Sequence, residues 1–261
     1  MQVMILAGGL GTRISEESHL KPKPMIEIGD KPILWHIMKN YSYYGFNKFV
    51  ICCGYKGNMI RDWFKNYRLY NDECITCYTG KGLASPMYEV NISYEENWEV
   101  KLIDTGLDSF TGDRIRIASK YITEDRFMMT YGDGVGDINI KELLDEHNRG
   151  SKLVTMTTAT PHGRFGIVKV DDSNNVTSFL EKKDNLNALV NAGYFVIDKP
   201  ALGYIYNKVM WEQQPLNLLV EQKQLHTYHH KGFWQAMDTI RDRQLLEELW
   251  KESNAPWRIW E

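Results

Sequence analysis

The sequence predicts an α/β fold: a mostly parallel sheet with helices on both faces and antiparallel additions in the C-terminal half. Three observations carry that expectation. Short uninterrupted apolar runs such as Val3–Ala7 and Phe49–Cys53 recur along the chain, and a strand buried on both faces reads as such a run, not as an alternation. Amphipathic helical patterns stand between these runs, which is the mark of βαβ units. Beyond about residue 160 the texture changes to strand segments separated by turn residues.

Val3–Ala7 is the first strand and stops at glycines. Ile33–Tyr44 reads as a helix behind Pro32, whose fixed φ and missing N–H suit a first turn. Phe49–Cys53 is a second buried strand, and Asn58–Tyr70 a helix with Ile60, Trp63, Phe64 and Tyr67 on one face. Val100–Thr105, Phe127–Tyr131 and Leu153–Ala159 are further strands, with helices near Gly112–Tyr121 and Ile140–Asn148. Asp137 is expected to cap the second of these. Gly166–Val170 and Val176–Leu180 form a hairpin about the turn Asp172–Asn175. Ala192–Ile197 and the alternating Leu225–His230 are strands. Thr239–Lys251 is a closing helix opened by a capping box, Thr239-x-x-Asp242.

Charge and composition remove several function classes. The chain has 261 residues, with 31 Lys+Arg against 34 Asp+Glu and a formal net charge of −3. A general nucleic-acid binder carries a strongly basic footprint, so no nucleic-acid partner is expected. No uncharged apolar run reaches the ~18 residues of a membrane span, and MQVMILAGGLGTR lacks the features of a signal peptide. Cys74-x-x-Cys77 with Cys52 and Cys53 is a conceivable zinc set. Adjacent cysteines in FVICCGY fit better as residues alternating across a strand. A reduced, cytoplasmic protein is the expectation.

Four segments offer chemistry. Leu6-Ala-Gly-Gly-Leu-Gly-Thr-Arg13 directly follows the first strand. Its glycines let backbone N–H groups approach phosphate oxygens, and Arg13 can neutralise them. It is neither a dinucleotide fingerprint, since Ile14 stands where a third glycine belongs, nor a Walker A loop. In Lys21-Pro-Lys-Pro24 the prolines stiffen the backbone and hold two lysines ready for a polyanion. In Tyr131-Gly-Asp-Gly134, Asp133 stands between glycines at a strand end, a placement suited to Mg²⁺, which takes one or two carboxylates plus substrate phosphates. Asp238 lies in Gly232-Phe-Trp-Gln-Ala-Met-Asp-Thr-Ile-Arg241, where it either caps the closing helix or completes a metal site with Asp133. Neither H-E-x-x-H nor G-x-S-x-G occurs.

In this order LAGGLGTR, KPKPM, YGDGV, FLEK, NAGYFV and GFWQAMDT resemble the sugar-phosphate nucleotidyltransferases. ICCGYKG, YGDGV and GFWQ-x-MDT-x-RD resemble their cytidylyltransferase branch in particular. The resemblance spans nearly the whole chain and implies a Rossmann-like fold. It also implies Mg²⁺-dependent transfer of CMP from CTP to α-D-glucose 1-phosphate. By that resemblance residues 1–261 are one domain, with a nucleotide-binding half (1–160) and a sugar-phosphate-binding half with the closing helix (161–261). Leu6, Ala7, Gly8, Gly9, Leu10, Gly11, Thr12 and Arg13 would hold the nucleotide, with Thr105, Arg114 and Gly132 near it. Arg13 and Lys23 would act on the reacting phosphates and Asp133 and Asp238 on the metal. Glu181, Lys182 and Asn191 would bind the sugar phosphate. Alternatives are another base (UTP or dTTP), another hexose 1-phosphate, or a non-catalytic nucleotide-binding regulator. A nicotinamide oxidoreductase is disfavoured by the failed glycine fingerprint. A closed homo-oligomer, a hexamer or trimer, is implied, with Tyr88, Trp98, Trp257 and Trp260 as interface anchors unless they complete the core. Residues 80–98 are expected to form an oligomer contact or a lid.

Overall fold

The computed structural model describes residues 1–9, 20–67, 75–79, 87–92, 96–160, 167–170, 176–180 and 189–260. In chain order its strands are β1 (Gln2–Leu6), β2 (Glu27–Ile28), β3 (Lys31–Pro32), β4 (Lys48–Cys53), β5 (Ile75–Thr79), β6 (Met87–Ile92), β7 (Trp98–Asp104) and β8 (Arg126–Tyr131). They continue with β9 (Gly134–Gly136), β10 (Val154–Ala159), β11 (Ile167–Val170), β12 (Val176–Leu180), β13 (Val190–Asp198), β14 (Leu225–His230) and β15 (Trp234–Ala236). The described α-helices are α1 (Ile33–Tyr43), α2 (Gly57–Lys65), α3 (Thr111–Ala118), α4 (Ile140–Gly150), α5 (Gln214–Glu221) and α6 (Ile240–Lys251).

Nine strands form one sheet in the order β14-β10-β13-β8-β1-β4-β7-β6-β5. Its centre, β8-β1-β4-β7, is parallel throughout. β13 runs antiparallel between β8 and β10, and β14 lies parallel to β10. The expected hairpin is present as β11 against β12, with its turn outside the described residues. Antiparallel strands are not confined to the C-terminal half, because β5 and β6 extend the other end of the sheet beyond β7.

Successive side chains of a strand face opposite ways, and here both faces are covered. Val3, Ile5, Phe49 and Ile51 pack with Ile37 of α1, Ile60 of α2, Leu143 of α4 and Leu246 of α6. Met4, Leu6, Val50 and Cys52 pack on the other face with Ile115 of α3 and Leu219 of α5. Cys52 and Cys53 therefore point to opposite faces and cannot share one metal. Burial pushes both thiols up from their usual pKa, Cys53 to about 12. Cys74 lies outside the described residues.

Three expectations change. Asp137 does not cap α4; Asn139 does, accepting from the Glu142 N–H, because a cap must directly precede the first turn. Asp137 lies instead 2.9 Å from His230 Nε2. Trp98 and Trp257 are fully buried core residues, and Trp260 packs edge-on to Trp35 at 5.8 Å, so Trp98 and Trp257 are not interface anchors. The Tyr88 side chain lies outside the described residues. Within 80–98, residues 87–92 are a sheet strand, not a lid. No described helix is long and apolar enough to cross a membrane.

Candidate functional site

From β1 the parallel strands proceed outward through β4 and β7, and β8 then returns to the opposite side of β1. Such a reversal opens a crevice beyond the C-terminal strand ends, the usual ligand position in open α/β sheets. A cavity of about 670 Å³ lies there. Leu6–Gly9 line it from the end of β1 and Tyr131–Gly134 from the end of β8.

The two acids distant in sequence meet through a small ribbon. β9 pairs antiparallel with β15, placing Gly134 opposite Ala236, and the Met237 N–H donates to the Asp133 carbonyl at 2.8 Å. Asp133 enters the ribbon where Asp238 leaves it. Lys23 Nζ lies between them, 2.7 Å from Asp238 Oδ1 and 3.3 Å from Asp133 Oδ2. Pro22 and Pro24 flank this buried lysine at the start of a single 3₁₀ turn, Lys23–Met25. Gly132 makes the approach possible: a Cβ there would press on the Leu6 carbonyl oxygen at 2.9 Å and on the Pro24 ring at 3.1 Å. Of the two lysines expected at a polyanion, only Lys23 enters the cavity. Lys21 pairs with Glu27 at 2.7 Å on the surface.

Asp238 is not the helix cap. Thr239 caps α6 and completes the foreseen box with Asp242. Asp242 Oδ2 accepts from the N–H groups of Asp238 at 3.1 Å and Thr239 at 2.8 Å. The Asp238 carboxylate takes no part in the cap and meets Lys23.

Arg114 lines the same cavity and is buried. Its Nη1 donates to Thr105 Oγ1 at 2.7 Å and to the Gly106 carbonyl at 2.8 Å, and its Nη2 to the Leu107 carbonyl at 3.2 Å. Burial draws this guanidinium below its usual pKa. Thr105 stands behind Arg114 and does not line the cavity; its hydroxyl donates to the Cys53 carbonyl at 2.7 Å. Gly8 has no side chain for a matching reason, since a Cβ there would collide with the Arg114 guanidinium.

Asn191 also lines the cavity, whereas Leu10, Gly11, Thr12, Arg13, Glu181 and Lys182 lie outside the described residues. Sequence reasoning missed Glu212. Tyr131 OH donates to its Oε1 at 2.6 Å and Thr111 Oγ1 to its Oε2 at 2.6 Å. Asn191 Nδ2 donates in turn to Tyr131 OH at 3.3 Å. Burial, reinforced by the Glu212 charge, pushes the Tyr131 phenol well above its usual pKa, so it remains a proton donor. The Trp234 indole N–H is buried in the cavity wall without a partner among the described residues. No motif marks Glu212; the one signal is its place between Trp211 and Gln213-Gln-Pro215 at the start of a helix.

Asp133 and Asp238 bring two carboxylates to one place in the cavity wall. A hard divalent cation accepts oxygen ligands of this type, with the remaining positions supplied by phosphates and water. The donor set therefore fits Mg²⁺.

A family model described as nucleotidyl transferase matches residues 2–243. The chain is 46% identical over 263 aligned positions to a glucose-1-phosphate cytidylyltransferase of Salmonella typhi, with both chains covered completely. Among solved structures it resembles HddC from Yersinia pseudotuberculosis, with a TM-score of 0.68 and 22% identity over 95% of this chain and 99% of that one. It also resembles a UDP-glucose pyrophosphorylase complexed with UDP-glucose, with a TM-score of 0.69 and 14% identity over 97% and 98% of the two chains. At these identities the two structural likenesses bear on the fold.

Proposed function

The chain belongs to the nucleotidyl transferase family and, within it, to the glucose-1-phosphate cytidylyltransferases, and on that footing we propose that it transfers CMP from CTP to α-D-glucose 1-phosphate, giving CDP-glucose and pyrophosphate. The observation that carries this reading is Lys23 held between Asp133 and Asp238 at the crevice between β1 and β8.

Both substrates are polyanions, so their approach is opposed by a repulsion that grows as water is excluded. Alignment and charge neutralisation then make up most of the catalysis. Leu6–Gly9 would present backbone groups to the nucleotide, and Lys23, which lines the same cavity, would meet the phosphates. By resemblance Arg13 joins Lys23 there, and Glu181 and Lys182 join Asn191 on the sugar phosphate. Arg114, braced by Thr105, fixes the wall beside Gly8. Asp133 and Asp238 would hold Mg²⁺, which supplies further neutralisation of phosphate charge. The sugar-phosphate oxygen attacks the α-phosphorus in line and pyrophosphate leaves. That oxygen is already ionised near neutral pH, so no general base and no covalent enzyme intermediate are required. Residues 1–160 would carry the nucleotide and 161–261 the sugar phosphate, in a cytoplasm that supplies CTP.

CTP is expected to be the preferred donor. Cytosine and uracil reverse donor and acceptor at one ring edge, and a buried site matched to one leaves groups unpaired with the other at about 1–3 kcal/mol each. Backbone groups of the Leu6–Gly9 segment are the candidates for reading that edge. Pyrophosphate release measured across nucleoside triphosphates and sugar 1-phosphates checks both choices. The CTP–glucose 1-phosphate pair should exceed each UTP pair at least tenfold in kcat/KM. Equal efficiencies with CTP and UTP contradict the cytidylyl assignment.

We further propose a closed homo-oligomer, a hexamer or trimer. With Trp98 and Trp257 in the core, its contacts must come from other surfaces. Light scattering should return a multiple of the 30.5 kDa chain; a monomer mass at micromolar concentration contradicts it.

A further inference from the structure

Glu212 is a third carboxylate in the cavity wall, after Asp133 and Asp238, and its surroundings restrict what it can face. Trp211, buried beside it, anchors the segment, and its backbone N–H donates to Thr111 Oγ1 at 2.8 Å. That same hydroxyl donates to Glu212 Oε2, and Tyr131 donates to Oε1. The carboxylate is thus fixed at both oxygens, and among the described residues its partners are hydroxyl groups and not cations. A carboxylate oxygen has two lone-pair sites, so each oxygen keeps one acceptor site beyond its internal partner. A phosphate cannot use them, because like charges repel most strongly where water is excluded. Of the groups that the two substrates carry, those able to face Glu212 are therefore neutral donors.

We propose that Glu212 is a specificity-determining residue that accepts hydrogen bonds from ring hydroxyls of the hexose 1-phosphate. This rests on the sugar nucleotidyltransfer reading above. Three features favour the hexose over the ribose or the base. Tyr131 connects Glu212 directly to Asn191, at the ends of β8 and β13. Those strands lie on the opposite side of β1 from β4 and β7. The Leu6–Gly9 turn, which would hold the nucleoside, makes none of the hydrogen bonds that fix Glu212. Tyr131 remains a donor to Glu212, which leaves the carboxylate as the acceptor for incoming hydroxyls. Hydrogen bonds to an ionised acceptor are the stronger kind, and a site built to pair a hydroxyl rejects the analogue that lacks it.

The test compares wild type and Glu212→Gln on glucose 1-phosphate and on its 2-, 3-, 4- and 6-deoxy analogues. CTP, 2′-deoxy-CTP and 3′-deoxy-CTP are varied in parallel. For wild type, removing at least one hexose hydroxyl should lower kcat/KM by ~10²-fold or more. Glu212→Gln should raise the KM for glucose 1-phosphate at least tenfold, leave the KM for CTP within about twofold, and reduce that deoxy penalty to a few-fold. Wild-type tolerance of all four deoxy sugars within a few-fold overturns the proposal without any variant. So does a Glu212→Gln loss of equal size on every sugar, which marks a purely structural role, or a loss of discrimination confined to the deoxy-CTP series, which moves Glu212 to the ribose. Should Glu212→Gln not fold, Glu212→Asp withdraws the carboxylate by one methylene and is judged by the same criteria. Wild type inactive with every sugar 1-phosphate overturns the parent reading and this proposal with it. Normal wild-type turnover with unaltered selectivity in the variant overturns this proposal alone.

Discussion

Asp238→Asn lowers kcat by about 10²–10³-fold, the usual effect of losing a charge that acts in the transition state, with little change in melting temperature. Asn would serve nearly as well as Asp at a helix cap, so a capping role would leave the variant almost silent. The geometry already separates the two roles. Thr239 makes the cap, and Asp242 holds the N–H groups of both Asp238 and Thr239. The Asp238 carboxylate is directed at Lys23. Asp133→Asn should behave alike, since Asp133 faces the same ammonium. Calorimetric titration with Mg²⁺ supplies a second readout, in which affinity falls in both variants. Near-normal turnover in Asp238→Asn refutes its assignment to the reacting centre.

Lys23→Met should be at least as severe in kcat, at about 10²–10³-fold or more. It removes the described cation nearest to both carboxylates and leaves an apolar chain of similar length. Its metal response should be opposite to that of the aspartate variants. Lys23 and a divalent cation answer the same two carboxylates, so deleting the lysine strengthens Mg²⁺ binding in the absence of nucleotide. A ligand that binds the folded state raises the melting temperature by mass action. Millimolar Mg²⁺ should therefore raise the melting temperature of Lys23→Met more than that of wild type. Equal shifts would show that the lysine and the metal do not share the carboxylates.

The parallel centre of the sheet was legible because a strand covered on both faces must be apolar without interruption, as in Val3–Leu6 and Phe49–Cys53. Lys23 was legible because prolines on both sides leave few backbone conformations open to it. The ribbon of β9 and β15 was not. Each strand has three residues, and Gly134 and Gly136 carry no side-chain pattern to reveal pairing. The convergence of Asp133 and Asp238 thus remained a matter of resemblance until the register was seen. β5 and β6 escaped because strands at the end of a sheet lack the continuous apolar signature of its centre. Asp137 failed as a cap by two positions, within the error expected for helix boundaries read from pattern. Thr105, which resemblance puts near the nucleotide, has its hydroxyl on Arg114, and Arg114 lines the cavity. Glu212 had no readable signal: its significance comes from Tyr131 and Thr111, which are remote in sequence and meet it only in the fold.

A crystal structure of the chain with Mg²⁺ and CDP-glucose tests the central claim most directly. The account predicts the nucleoside over Leu6–Gly9, the diphosphate against Lys23, the hexose beside Asn191 and Glu212, and the metal in contact with both Asp133 and Asp238. A nucleotide bound away from the crevice between β1 and β8, or a metal that touches neither aspartate, would contradict it.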